Sequence, residues 1–446
     1  MLKLRVRLVS IVVVITLLVG VVAILSACKP QVVTETVIVE VPGETVVVTE
    51  IVEKEVQATA APMDHWEIPF LDVMTGGFAA AGVPGAWAIK EAEKDINAAG
   101  GIAGKPVDFV LYDTGSTTSV ARIAVEKALA KNPIYVLSYD AGESAEATLT
   151  MTSLEQVFTL CSVAGADTTE LYLPWNTGWA NYMDNSAGSV ELEWVKRHPE
   201  IKKVVPLYDS TNVTYKNESD STMKWLTDYG IEVLEPVTFE QFTQVDYGPV
   251  AVEALSRGAD GYYFSSFGTP YAKTVIEMAK RGMTETWRFI GNTGTDYPEL
   301  YALGGDYIEG CYIASSYDEN DPTPEWQSIL ERYRAMTADQ GQLFVWMAYQ
   351  NATWVKDAIE ETGVTGDPAK LAKERLMLAE WSYNRPDYQF FGFKADIVSG
   401  FGMLPYFLNQ IENGKKKLLM VVPTRQDIPQ RIIDAGGAPK LPPIPE

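Results

Sequence analysis

The chain has 446 residues, with 36 Lys and Arg against 59 Asp and Glu and a formal net charge of −23. So acidic a surface excludes nucleic acid and anionic lipid headgroups as natural partners. With 47% hydrophobic and 11% aromatic residues, the length predicts a globular protein of two or three domains rather than a disordered or fibrous chain.

The N-terminus carries Lys3, Arg5 and Arg7, then an apolar run over residues 8–25, then Ser26-Ala27-Cys28. Cations, an apolar stretch and small residues before a cleavage point predict an export signal. Leu25-Ser26-Ala27-Cys28 resembles a bacterial lipobox, which implies that the Cys28 thiol is acylated and becomes the mature N-terminus, holding the protein to the outer face of the membrane. An uncleaved anchor is the alternative, since the apolar run is nearly long enough to span a bilayer. Removing residues 1–27 takes away those three cations and no acid, so −23 becomes −26. Only Cys161 and Cys311 then remain besides Cys28. Disulfides cannot frame such a fold; the two could pair in an exported protein, but each sits in or ends a core strand and both read as buried free thiols.

Residues 29–62 alternate Val, Thr and Glu with no aromatic residue. They cannot bury a core. A hairpin around Pro42-Gly43 is possible, but a lone two-stranded hairpin is marginal in water, so the expectation is a solvated tether over 28–63 reaching roughly 110 Å when extended.

Beyond the tether, strands and helices alternate. The pattern predicts strand at 66–75, helix at 83–98 stopped by Gly100-Gly101, strand at 107–113, helix at 118–131, strand at 134–139, helix at 144–154 and strand at 157–161. It then restarts with helix at 190–198, strand at 203–208, helix at 215–229, strand at 231–239, helix at 249–257, strand at 261–267, helix at 270–281 and strand at 287–291. Such alternation implies right-handed crossovers and parallel sheets covered on both faces. Two successive doubly wound α/β units of similar size predict two lobes facing a cleft.

Thr75-Gly-Gly-Phe-Ala-Ala-Ala-Gly82, running without a gap into Asp95-Ile-Asn-Ala-Ala-Gly-Gly-Ile-Ala-Gly-Lys105, resembles the opening of the branched-chain amino-acid-binding proteins of ABC importers. Asp167-Thr-Thr-Glu-Leu171 is similar to that family's T-x-P-E-L element. Trp346-Met-Ala-Tyr-Gln350, Ala358 and Thr362-Gly363 match its late helix. The similarity covers roughly residues 66–425. It implies a type I periplasmic binding protein fold with three hinge crossovers, lobe 1 at 66–184 plus 315–398, lobe 2 at 185–314 plus 399–425, and a Pro-rich tail at 426–446. It also implies a monomer that captures a small solute and delivers it to an ABC permease without a cofactor. A sensor that reports the solute to a receptor is the alternative use of the same clamp.

In open parallel sheets, ligands bind beyond the carboxyl ends of the strands, where helix N-termini offer unpaired N–H groups. By resemblance, the first-lobe contacts fall on Ala81, Gly142, Gly165 and Asp167, and the second-lobe contacts near Tyr215, Gly268 and Thr293. Gly142 and Asp167 stand where the family places hydroxyl donors for a ligand carboxylate, and Thr293 where it places an acid for the ammonium, with Asp296 as a nearby substitute. Asp140 and Glu143 add negative charge. The expectation is a cationic or neutral amide-bearing solute in preference to a leucine-like one. Asp140-Ala-Gly-Glu143 and Asp167-Thr-Thr-Glu170 also have helix-capping spacing, which explains the same acids without a ligand. Tyr139, Trp175, Phe267 and Tyr271 read either as a cation-binding wall or as core.

Catalytic readings find little support. His65 and His198 have no nucleophile or metal partner nearby in sequence, Gly101-Ile-Ala-Gly-Lys-Pro106 lacks the spacing of a phosphate loop, and Asp318-Glu-Asn-Asp-Pro322 lacks the EF-hand glycine. A glycoside hydrolase is the remote alternative, because carboxylate pairs abound in any acidic chain. The expectation is a binding protein, not an enzyme, with no metal.

Overall fold

The computed structural model describes residues 35–41, 44–50, 64–140, 143–162, 171–177, 188–337, 343–391, 393–423 and 439–445. The chain forms two units, residues 1–62 and 63–446. In the first, β1 (Glu35–Val41) and β2 (Glu44–Glu50) pair antiparallel, Glu35 opposite Glu50 and Val41 opposite Glu44. β1 and β2 thus form the two-stranded hairpin that the sequence left possible. Its Val, Ile and Thr residues are strong strand formers, and the pairing satisfies the backbone groups that face the partner strand.

In the second unit, β3 (Trp66–Asp72), β4 (Val107–Asp113), β5 (Val136–Tyr139), β6 (Thr159–Cys161) and β7 (Asn176–Thr177) form a parallel sheet in the order β4-β3-β5-β6-β7. Helices α1 (Ala79–Ala98), α2 (Thr118–Leu129) and α3 (Glu143–Leu154) connect its strands. Strand β3 is apolar on both faces because helices cover both, with Trp66, Ile68, Phe70 and Leu71 all buried. Helix α1 begins four residues earlier than its periodicity predicts. Pro84 lies inside it, in the second turn, where its missing N–H leaves the Ala80 carbonyl without its helical donor.

The motif from Asn97 to Lys105 is mechanical. Asn97 Nδ2 donates to the Val107 carbonyl and Val107 N–H donates to Asn97 Oδ1, both at 2.8 Å. This clips the end of α1 to the start of β4. Gly101 takes φ +79°, and a Cβ there would lie 2.0 Å from the Lys105 carbonyl oxygen, so only glycine fits.

After helix α4 (Ser189–Arg197), a second sheet is built from β8 (Lys203–Asp209), β9 (Glu232–Val233), β10 (Val237–Phe239), β11 (Gly261–Ser265), β12 (Phe289–Gly291) and β13 (Tyr312–Ser315). These run parallel in the order β10-β8-β11-β12-β13, with β9 also on β8. The single strand expected over 231–239 is two short ones, since Pro236 between them has no N–H to give the ladder. Helices α5 (Val213–Asp228), α6 (Gly248–Ser256), α7 (Gly268–Ala279) and α8 (Pro298–Gly304) cover this sheet. Cys161 and Cys311 are both buried thiols.

The chain then returns to the first sheet. In α9 (Pro324–Met336), Arg332 Nη1 donates to Glu91 Oε2 of α1 at 2.7 Å, and in α10 (Leu343–Thr362), the Tyr349 hydroxyl donates to Asp95 Oδ2 at 2.8 Å. Helix α11 (Leu371–Tyr383) and the antiparallel strands β14 (Arg385–Phe390), β15 (Phe393–Val398) and β16 (Phe401–Met403) follow. The Tyr383 hydroxyl holds the Pro439 carbonyl of the C-terminal segment at 2.7 Å. Finally β17 (Tyr406–Glu412) pairs antiparallel with β13, and β18 (Lys415–Val422) with β17. The second sheet thus receives its last strands from beyond the part of the chain that completes the first.

Candidate functional site

Strands β3 and β5 end side by side, with Asp72 in register with Tyr139. The polypeptide leaves their carboxyl ends toward the carboxyl ends of β8, β10 and β11 in the second sheet, and aromatic rings fill the space between. Phe78, just before α1, packs edge-on against Phe242 at 5.0 Å and Phe267 at 5.2 Å between ring centres. Tyr139 meets Phe344 of α10 at 5.5 Å, Phe344 meets Tyr297 at 4.6 Å, and Tyr297 meets Phe267 at 4.4 Å. Rings from both lobes therefore touch across the cleft.

A cavity of about 240 Å³ lies among them. Gly77 and Ala80 contribute from the first lobe, and Gln241, Phe242, Phe267, Thr269, Pro270, Tyr297 and Glu299 from the second. None of these residues is basic and one is acidic. Gln241 is held by its neighbours, since its side-chain Oε1 accepts from Phe267 N–H at 3.1 Å while its backbone N–H donates to Asp209 Oδ1 at 3.3 Å. Its Nε2 is buried with no hydrogen-bond partner.

Beside this space, Asp72 is wholly buried. Its Oδ1 accepts from Val73 N–H at 2.7 Å, and its Oδ2 has no partner. Burial first, and the Asp140 charge second, push its carboxyl well above the usual carboxylate range. The Tyr139 hydroxyl is likewise buried and unpartnered, and burial raises it. Burial raises Tyr297 too, with smaller contributions from Tyr215, Tyr139, Glu299 and Asp72, all of which face the same interior.

The residues expected from sequence fall into distinct places. Phe267 lines the cavity, Tyr139 is buried against Phe70 and Phe344, and Ala81 is buried one residue beyond the lining Ala80. Tyr215 packs against Phe267 at 5.8 Å. Thr293 is buried in the turn after β12. Gly268 starts α7 but is packed on Leu300 and the Thr295 carbonyl, with no room for a Cβ.

Asp140 is buried and held within the first lobe. Buried carboxylates need donors, and the hydroxyls of Thr114, Ser138 and Thr148 supply them. Asp296, offered as a substitute acid, is likewise engaged by Tyr301, Ser315 and Lys416. Tyr271 is core, its ring on Phe264 and its hydroxyl on the Tyr312 carbonyl. Trp175 is buried in the first-lobe core. Gly142, Gly165 and Asp167, with the Glu143 side chain, lie outside the described residues, as does Cys28.

Asp72, Phe78, Gln241, Phe242, Tyr297, Glu299 and Phe344 were not among the expected residues. Gln241 follows β10 closely, the position that marks a ligand loop in a parallel sheet. The expected strand ends at Phe239 as β10 does, but the contacts carried over from the resemblance include none from the loop that follows it. Among the described residues no group of three or more His, Cys, Asp or Glu is placed to hold a metal ion.

Two α/β lobes that meet over an aromatic cavity at their strand ends define a clamp for a small solute. A family model described as "Periplasmic binding protein" matches residues 65–391. The chain belongs to that family and has the type I fold. It is 20% identical to the Leu/Ile/Val-binding protein of Escherichia coli (strain K12) over 318 residues, 69% of this chain and 82% of that protein. The crystal structure of the leucine-binding protein LivK from Thermotoga maritima superposes with a TM-score of 0.69 at 20% identity, covering 80% of this chain and 99% of that one. A solute-binding protein of an ABC transporter from R. palustris, solved with benzoate, superposes with a TM-score of 0.68 at 16% identity, covering 81% and 97%.

Proposed function

We propose that the protein is an exported solute-binding protein, anchored to the outer face of the membrane through acylated Cys28. Its lobes, residues 66–184 with 315–398 and 185–314 with 399–425, close on a small polar solute and present it to an ABC permease. The observation that carries this reading is the cavity between the lobes, about 240 Å³, walled by Phe242, Phe267 and Tyr297 and lined by Glu299 but by no basic side chain. Aromatic faces and a carboxylate favour a cation or a neutral amide over an anion. The relatives are solute-binding proteins by name, which supports a binding role without catalysis and a place outside the cytoplasm. Closure is favoured by the ligand because only the closed form supplies contacts from both lobes.

The named ligands of the relatives, branched-chain amino acids and benzoate, both carry a carboxylate. An aromatic acid is a second reading, favoured by the same three rings and opposed by Glu299. A thermal-shift screen over amino acids, amides, urea, betaines, polyamines and aromatic acids identifies a binder. Small-angle scattering with that binder tests the clamp. The expected result is a more compact particle, and identical scattering with a saturating binder contradicts closure.

A further inference from the structure

Behind the cavity wall, one buried carboxyl group holds the ends of two neighbouring strands. Ser265 ends β11 and is followed by Ser266 and the cavity-lining Phe267, while Asn292 directly follows β12. The Ser266 backbone N–H donates to Asn292 Oδ1 at 3.3 Å. A backbone N–H can only donate, so this contact orients the Asn292 amide and sends its Nδ2 the other way. There Nδ2 donates to Glu218 Oε2, and the Ser265 hydroxyl donates to the same oxygen at 3.0 Å. All four residues are buried. Donors in such a place lose free energy when their acceptor is removed.

Glu218 lies on α5 one turn beyond Tyr215, so the two share a face of the helix. The Tyr215 ring packs on Phe267 at 5.8 Å. A Cβ on Gly294 would lie 3.0 Å from the Tyr215 hydroxyl oxygen and 2.9 Å from the Ser266 carbonyl oxygen, so the turn after β12 is pressed against both. Helix α5 thus grips the loops after β11 and β12 through a ring and through a carboxyl group. On the reading that the chain captures a small solute, we infer that Glu218 is a positioning residue: through Asn292 it holds the Ser266 N–H and so sets where Phe267 stands in the cavity wall. Without that acceptor the Ser266–Phe267 segment relaxes, and a solute must restore it on binding.

The test compares the mature chain with Glu218→Leu, which fills the space without an acceptor, and Glu218→Gln, whose Oε1 still accepts from both donors. The first measurement is amide hydrogen exchange with no solute present. Ser266 is expected to exchange about tenfold faster in Glu218→Leu, the factor one lost buried hydrogen bond gives, with Glu218→Gln at the parent's rate and the β8 amides of Val205 and Leu207 unchanged in both. The second is calorimetric titration with valine, glycine betaine, acetamide and putrescine. Whichever of these binds the parent most tightly is expected to bind Glu218→Leu about tenfold more weakly and Glu218→Gln as it binds the parent. Should Glu218→Leu fold poorly, Glu218→Asp serves instead, since it keeps the charge but withdraws the oxygen from Asn292 by one methylene, and the same local acceleration is expected. Unchanged exchange at Ser266, acceleration shared equally by Val205 and Leu207, or failure of Glu218→Gln to keep the parent's rate overturns the inference. Binding of none of the four solutes would count against solute capture as read here, while the exchange rates alone still decide whether Glu218 positions the loop.

Discussion

Lys416 Nζ lies 2.7 Å from Asp296 Oδ2, and both side chains are buried, at 3% and 0% exposure. The ammonium also sits over the Tyr317 ring at 3.4 Å and within 3.2 Å of the Ser315 hydroxyl. Residues 315–317 begin the segment that leaves the second sheet for the first, so this pair ties the last strand to a crossover. Asp296 is therefore spent on the fold and is not available to a ligand ammonium.

Removing one partner of a buried pair strands the other charge. Lys416→Met is expected to cost about 3–5 kcal/mol, read as a lower urea midpoint, whereas Lys416→Met with Asp296→Asn recovers much of that loss. Equal stabilities for the single and double variants contradict the pairing argument.

Buried acids set a pH dependence. Burial pushes Glu218 up to about 7 and Glu191 up to about 8, from an ordinary value of 4.5. Between pH 4.5 and those values the folded chain holds protons that the unfolded chain has released. Stability conferred by these groups is thus fully present below about pH 4.5 and is lost as pH rises to 7 and 8, by a few kcal/mol for each group at about 1.4 kcal/mol per pKa unit. Glu218→Gln is expected to flatten the melting temperature between pH 5 and 7. A slope identical to the parent's contradicts the assignment.

Phe242 is 49% exposed, yet its ring packs on Phe78 across the cleft. Phe242→Ala removes a contact that exists only when the lobes touch. We expect little change in unligated melting temperature and a loss of about two- to tenfold in solute affinity, from the roughly 0.5–1.5 kcal/mol of an aromatic pair. A large fall in stability without loss of affinity would make Phe242 a core residue instead.

The lipid anchor has its own test. Cys28→Ser is expected to abolish labelling by a radioactive fatty acid and to release the protein or leave its signal uncleaved. Labelling equal to the parent's contradicts acylation at Cys28.

Much of the scaffold was readable before the structure because its signals are local. The strand at 107–113 and the Gly100-Gly101 stop follow from periodicity and from φ values only glycine adopts freely. The contacts that shape the cavity are not local. Asp296 finds Lys416 120 residues away, and Gln241 is oriented by a backbone N–H 26 residues on. Tyr297 and Phe344 meet only because α10 returns to the first lobe. Asp140 looked available as an acid after a strand, and only the fold reveals three hydroxyls around it. Type and position of a residue predict which loop it joins, but not which of its atoms are already satisfied.

A cavity lined by aromatic rings and Glu299, with no basic side chain, is expected to prefer a neutral or cationic solute to a branched-chain amino acid. Calorimetric titration of the unmodified mature protein with valine, a betaine, a small amide and a diamine tests it most directly. The amide or a cationic solute is expected to bind about tenfold more tightly than valine, whose carboxylate meets Glu299 and no basic residue in the cavity. Tight binding of valine, matching or exceeding the others, would contradict it.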